Sequence, residues 1–493
     1  MRRFLLPLLV LAIAIAASIL AGRANDAATP TEPASAESVD SLGTPLLSVR
    51  RIPEWLRQPS ADNALDAVAS AVVNNLDDQA ITCLAVHRDG TAVAEVNSAA
   101  AVLPGDLHRI VTLGALDALG GTDFTTEVVR SSAHLIEEGV LQGDLWVLGG
   151  GDPTLSTDLY SRRFDPDRAN TSLSELALLT SAALAEAGIT AVDGSIIGVD
   201  TKYDGSPRTF AAAEWPSSAV NGNEVGGISS LLVNNGFSEF PVDEINAELN
   251  TRASNPTAHA AREFLALLAV ADINVSGGAS AGDAPEASTR VSVATLDSSP
   301  LSDIAERAGT DATTAEMLYR ETTQRSGRLP SGTFDGSAAA SQSILAGDYL
   351  PDDDVGQILS LDGSGISPAN RSSCGLLTAI LDSGENNLAV RALPAGADSA
   401  ISACLPSRLP DLRILVTERN GVTAMAGRTV AENGDVLTFS AIANWLPRDD
   451  NVDTTAETGV CAGFLPALLD VLAEHPIAPR LDKLVPLPVV ESP

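Results

Sequence analysis

Hydrophobic positions change their period several times along this chain, and each change marks an element. From Ala61 to Leu76 the apolar residues Leu65, Val68, Val72 and Leu76 recur at helical spacing. Ile81–His87 and Thr91–Val96 then read as two strands of a hairpin around Arg88-Asp89-Gly90, because Asp-Gly accepts the positive φ of a tight turn. Helical spacing returns over His108–Leu119 through Ile110, Leu113 and Leu116. The middle of the chain alternates. Strand-like runs at Phe124–Arg130, Asp144–Leu148, Ser195–Val199 and Leu231–Val233 are interleaved with helices over Leu173–Ala187 and Thr257–Val270. Ser172 and Glu175 form a capping box at the start of the first of these helices. From about Thr289 the pattern gives helices at Thr313–Thr323 and Gly375–Leu381 and strands at Arg413–Thr417, Val422–Ala426 and Val436–Ile442. A last helix follows over Gly463–Ala473. Two early strands and three late ones make one sheet, with the middle region inserted between them. There is no internal repeat.

The ends differ from this body. Met1-Arg2-Arg3, an apolar run from Phe4 to Leu20 and small residues at Gly22 and Ala24 read as an export signal or an uncleaved signal anchor over 1–24. Residues 25–43 are Ala, Ser, Thr, Pro and acidic residues without a period, which predicts a solvated tether. An extracytoplasmic protein is expected, secreted or held at the outer face of the plasma membrane, with no membrane contact beyond that anchor.

Charge narrows the function. Thirty basic against sixty-four acidic residues leave a net charge of −34, which argues against nucleic-acid binding, where affinity comes from Lys and Arg on phosphates. At 45% hydrophobic residues the chain has ample material for a core. Only two lysines occur, Lys202 and Lys483. Four cysteines, Cys83, Cys374, Cys404 and Cys461, permit two disulfides in an exported chain, with three connectivities open. The five histidines show no metal-binding spacing, and Asp352-Asp353-Asp354 lacks the alternating ligands of a calcium loop, so neither metal nor cofactor is expected. His108 reads as a partly exposed helix residue beside Asp106.

Three segments carry a resemblance: Thr44–Pro53 at the entry, Gly149-Gly150-Gly151-Asp152-Pro153-Thr154-Leu155-Ser156 after a strand, and Asp362-Gly363-Ser364-Gly365-Ile366-Ser367. In these the chain resembles the class C penicillin-binding proteins of actinobacterial type, serine D-alanyl-D-alanine carboxypeptidase/endopeptidases that trim peptidoglycan cross-links. The resemblance covers roughly residues 44–475. It implies an α+β fold: a penicillin-recognising (β-lactamase/transpeptidase-like) domain with a five-stranded antiparallel sheet flanked by helices, interrupted by an inserted α/β region. The limits it suggests are 44–125 and 289–475 for the two parts of that domain, 126–288 for the insertion and 476–493 for a Pro-rich tail.

That chemistry needs Ser-x-x-Lys, Ser-x-Asn and Lys-Thr-Gly. The resemblance puts the nucleophile and lysine positions at Asp106 and Arg109, the second element at Thr310-Asp311-Ala312 and the third at Leu415-Val416-Thr417. An Asp is a poor nucleophile toward an amide, and a guanidinium cannot release its proton to act as a base. No shift of register repairs this, because Val199 and Arg480 stand three residues before the two lysines and neither lysine precedes Thr-Gly. Ser364 lacks the flanking glycines of a nucleophile elbow and reads as part of a structural loop of the cleft, Asp362-Gly363-Ser364-Gly365. The expectation is a pseudoenzyme that binds a peptidoglycan stem peptide or an envelope protein. The alternatives are a serine-type peptidase working through a non-standard site, and a dead scaffold whose inserted region is the interaction module.

Overall fold

The computed structural model describes residues 54–476 apart from 77–78, 122, 204–214, 222–223, 242–248, 250, 329–331, 350–356, 410, 420, 432–433, 447–459 and 462. The expected signal segment, the tether, the tail beyond Pro476, Lys483 and Asp352–Asp354 lie outside the described residues.

Helix α1 (Glu54–Asn74) leads into strands β1 (Ala80–Arg88) and β2 (Thr91–Val96). Asp89 and Gly90 both take positive φ, 49° and 74°, which matches the right-handed twist of the hairpin they join. The buried stripe of α1 departs from the expected one at Val68, while Val72 and Leu76 pack part-buried against the core. Leu65, Ala69 and Val73 face the core, whereas Val68 is 43% exposed. Arg88 ties the two elements together, donating from Nε and Nη2 to the two carboxylate oxygens of Asp62, each at 3.0 Å.

A single 3-10 turn, Gly105–Leu107, then opens α2 (His108–Leu119). The middle of the chain builds a second sheet from β3 (Thr125–Ser131), β4 (Leu145–Leu148), β5 (Ile196–Val199), β6 (Ala279–Ala281) and β7 (Arg290–Asp297), in the order β6-β5-β4-β3-β7. Strands β4, β5 and β6 run parallel, while β3 is antiparallel to both β4 and β7. Helices α3 (Leu173–Glu186) and α4 (Pro256–Val270) cover it, burying Leu173, Leu176 and Leu184 with Ala261, Phe264 and Leu268. Ser172 caps α3 by accepting from the Glu175 amide at 3.3 Å. Leu231–Val233, expected as a strand, joins no sheet. The Leu231 amide is taken by Ser229 Oγ at 3.1 Å, and Gly149 presses so close to this backbone that an added Cβ would lie 2.4 Å from the Leu231 nitrogen.

The chain returns through α5 (Leu301–Ala308), α6 (Ala312–Ser326), α7 (Phe334–Asp348) and α8 (Cys374–Asp382) to β8 (Arg413–Arg419), β9 (Val422–Val430), β10 (Val436–Trp445) and α9 (Phe464–Ala473). The first sheet closes as β8-β9-β10-β1-β2, antiparallel throughout. Alternation along its strands feeds two cores. Cys83, Ala85, Ala424, Ala426 and Ile442 face Ile110, Leu113 and Leu116 of α2 and Leu376, Leu377 and Ile380 of α8. Leu84, Val86, Met425, Leu437 and Phe439 face α1 and Leu465, Leu468 and Leu469 of α9. The disulfides pair Cys83 with Cys374, joining β1 to the first turn of α8, and Cys404 with Cys461. Among the described residues no helix is long and apolar enough to cross a membrane.

Candidate functional site

The 3-10 turn sets Asp106 at the mouth of a corner between α2 and the edge strand β8, and helical spacing brings Arg109 round beside it. Asp106 Oδ1 accepts from Arg109 Nη2 at 3.4 Å and lies 3.3 Å from Arg419 Nε; Oδ2 accepts from Thr417 Oγ1 at 3.3 Å. Arg419 also pairs with Glu224 from the middle region. Burial works against the Arg419 charge, but Asp106 and Glu224 outweigh it and push its pKa further up. Arg109 is held from behind, with Nε donating to the Ser364 carbonyl at 3.0 Å and Nη1 to the Gly309 carbonyl at 2.9 Å. This corner can bind and orient charge. It offers no neutral amine to take up a proton, because a guanidinium stays charged.

Beneath the corner lies the Asp362–Ser367 loop. Asp362 accepts four hydrogen bonds: Oδ1 from the Gly365 amide (2.9 Å) and Asn370 Nδ2 (2.6 Å), Oδ2 from the Ser367 amide (2.6 Å) and Trp215 Nε1 (2.7 Å). Glu316 of α6 receives the Gly363 and Ser364 amides at 3.1 and 2.7 Å, and Thr112 Oγ1 donates to the Gly363 carbonyl at 3.0 Å. Both glycines are required. Gly365 has φ +85° and a Cβ there would sit 2.0 Å from the Gly105 carbonyl oxygen; at Gly363 it would meet Tyr319 Cβ at 2.5 Å. Burial, with Asp362 adding repulsion, pushes the Glu316 carboxyl up to about 8. Burial also raises Asp362, opposed by Asn370, Trp215 and the two amides. Ser364 is fully buried in this floor.

Of the eight positions at which the three motifs were sought, Asp106, Arg109 and Thr417 converge. Thr310 is exposed and its hydroxyl turns back to the Arg307 carbonyl at 3.4 Å. Asp311 caps α6, accepting from the Thr314 amide at 2.7 Å, and Asn235 Nδ2 donates to it at 2.6 Å. Burial alone would raise Asp311, but Arg307, the Thr314 amide, Arg168 and Arg252 hold it below the usual carboxylate range. Ala312 packs with Met317 and Ile366. Leu415 and Val416 point into the opposite cores of the sheet. Sequence reasoning missed Arg419, Glu224, Glu316 and Trp215. Arg419 was the most accessible of these, being two residues beyond Thr417 on the same face of a strand.

His108 is not the partly exposed residue expected. It is fully buried, its Nε2 is 2.8 Å from Ser360 Oγ, and burial pushes its pKa down to about 3. Lys202 sits on the glycine block, its Nζ 2.6 Å from both Glu321 Oε1 and the Gly150 carbonyl. Gly150 is crossed by another backbone, since a Cβ there would lie 2.1 Å from the Thr125 carbonyl oxygen. Among the described residues no group of three His, Cys, Asp or Glu side chains is placed to hold a metal ion.

A five-stranded antiparallel sheet between helical layers, interrupted by an α/β region and carrying its cleft where an edge strand meets the start of a buried helix, is a penicillin-recognising fold. The model of the D-Ala-D-Ala carboxypeptidase 3 (S13) family matches residues 62–248 and 238–462, and the chain belongs to that family. Its structure is similar to penicillin-binding protein 4 of Haemophilus influenzae, with a TM-score of 0.61 at 18% identity over 82% of this chain and 98% of that one. A second structure of that protein, in complex with a β-lactam, gives a TM-score of 0.55 at 17% identity over the same shares. At these identities the likeness concerns the fold. No curated protein matches the chain.

Proposed function

We propose that this is a pseudoenzyme of the actinobacterial type of its family, a protein of the cell envelope that binds a peptidoglycan stem peptide or an envelope partner without cleaving it. The observation that carries the reading is the corner itself. Where acylation chemistry needs a hydroxyl and a neutral amine three residues apart, a carboxylate and a guanidinium stand in contact. Arg419 and Thr417 supply cationic and hydroxyl groups suited to a peptide carboxylate. Two disulfides and the signal-like N-terminus favour an oxidising, extracytoplasmic location. The region 126–288 is then an inserted domain, contributing Glu224 and Trp215 to the cleft.

One observation favours residual activity instead: the Thr417 hydroxyl donates to a carboxylate, as an activated nucleophile would. Thr417 is only 3% exposed, and two guanidinia already occupy Asp106, so this is the second reading. Incubation of the purified chain with a synthetic peptide ending in D-Ala-D-Ala separates the two. Binding without release of D-alanine is expected. Release that disappears in Thr417→Val contradicts the pseudoenzyme and supports the second reading.

A further inference from the structure

A cavity away from the Asp106 corner is lined by Arg307, two residues before the Gly309 carbonyl that receives Arg109. We propose that this cavity, about 390 Å³ and bounded by Tyr160, Arg162, Phe164, Arg168, Asn170 and Arg307, is a binding site for a small ligand carrying a carboxylate or phosphate group. Its volume falls within the range of about 300–1,000 Å³ common to small-molecule pockets.

The case begins with Arg307. It belongs to α5, is 7% exposed and lines the cavity, yet its Nε and Nη2 have no hydrogen-bond partner among the described residues. Buried guanidinium donors are ordinarily satisfied, because an idle N–H removed from water keeps its desolvation penalty. Two carboxyls face Arg307, Asp152 and Asp311, but among the described residues neither forms an ion pair with it. Asp311 is committed elsewhere, to the Thr314 amide and Asn235, and Asp152 Oδ1 accepts from the Thr154 amide and hydroxyl at 2.7 and 2.6 Å, while its buried Oδ2 has no hydrogen-bond partner among the described residues and still makes no ion pair with Arg307.

Arg168 reinforces the field. Its guanidinium lies 4.1 Å over the Phe164 ring and lines the same cavity. Burial, with repulsion from Arg307, pushes its pKa down, and Asp311 opposes that only in part. Arg162 adds a third, exposed cation at the rim, and Asp165 is the lone acid of the lining. In a chain with a net charge of −34, three guanidinia line this one cavity against a single acid of the lining, with Asp152 and Asp311 near Arg307. Tyr160 and Phe164, with ring centroids 5.1 Å apart, supply an apolar wall for the rest of the ligand. Guanidinia recognise planar carboxylates and phosphates through paired N–H donors, so the oxyanion is the shared chemistry. The site stands independently of whether the Asp106 corner retains activity.

Isothermal titration of the full chain at fixed ionic strength tests this, with N-acetylglutamate in one arm and inorganic phosphate in the other. Saturable binding of at least one probe is expected, and the arm that binds identifies the source of the oxyanion. Arg307→Gln and Arg168→Gln should each weaken it by about tenfold or more, while Arg262→Gln, on the exposed face of α4, should leave it unchanged. Circular dichroism checks the fold of each variant. Should Arg307→Gln not fold, the half-buried Arg168→Gln decides alone. No saturable binding of either probe at millimolar concentration, or wild-type affinity in a folded Arg168→Gln variant, overturns the proposal.

Discussion

The corner at Asp106 and the loop beneath it are a few ångströms apart and obey different rules. The floor is built from backbone. Its glycines are fixed by neighbouring chain atoms, and its amides are held by two fully buried carboxyl groups, Asp362 and Glu316. The mouth is built from side chains: Asp106 meets Arg109, Thr417 and Arg419 through contacts of 3.3–3.4 Å that solvent still reaches. Side chains at a mouth can be exchanged without moving the backbone, whereas a floor glycine cannot be exchanged without moving two loops. On the proposed reading, this is how a chain keeps the fold of a peptidase while its chemistry is replaced.

Breaking the floor should cost most. Gly365→Ala adds a Cβ against the Gly105 carbonyl at a φ of +85°, and a loss on the order of 3 kcal/mol is expected in urea denaturation. Gly347→Ala, in α7 with open space around it, should instead stabilise by about 0.5–1 kcal/mol. Equal effects of the two would remove the distinction between a constrained floor and ordinary helix.

Next comes the Glu316 charge. Its folded pKa of about 8 lies above the ordinary value of 4.5, so the native state holds a proton that the unfolded chain releases. The stability it contributes is fully present below pH 4.5 and is lost as pH rises through about 8. Glu316→Gln stays neutral, so the variant should gain on the wild type progressively across that window. The gain should reach a few kcal/mol, bounded by about 1.4 kcal/mol per pH unit. Taking the difference between the two proteins removes the opposite trend from buried His108, whose lowered pKa costs stability as pH falls from 6.5 toward about 3. A flat difference profile would place the charge elsewhere in the floor.

The mouth should be more forgiving. Thr417→Val removes one hydrogen bond to Asp106 and keeps the shape, so a loss of at most about 1 kcal/mol is expected by thermal or urea unfolding. A loss as large as that of Gly365→Ala would mean that the mouth is as structural as the floor.

The same distinction governs what was readable from sequence. The two early and three late strands, the Asp-Gly hairpin and the inserted region follow local periodicity and turn chemistry, and the structure assembles them as one antiparallel sheet with a second sheet between. Helix α1 follows its periodicity at Leu65, Val72 and Leu76, and only packing reveals that Ala69 rather than Val68 is buried. Leu231–Val233 has strand composition but no ladder to join. Asp106 and Arg109 share a helical turn and were found together, whereas Glu224 and Trp215 reach the cleft from a distant segment. Nothing in their neighbours announces that. Glu316 lies among ordinary helix residues, and its role as the anchor of two loop amides needs the fold.

The central claim is that the corner no longer supports serine acylation, and labelling with a fluorescent penicillin followed by intact-mass analysis tests it most directly. Penicillin traps the nucleophile that this peptidase chemistry uses. The account predicts no adduct at high reagent and long exposure. A stoichiometric adduct would contradict it, and mapping the modified residue would identify the nucleophile that Asp106 and Arg109 were taken to have replaced.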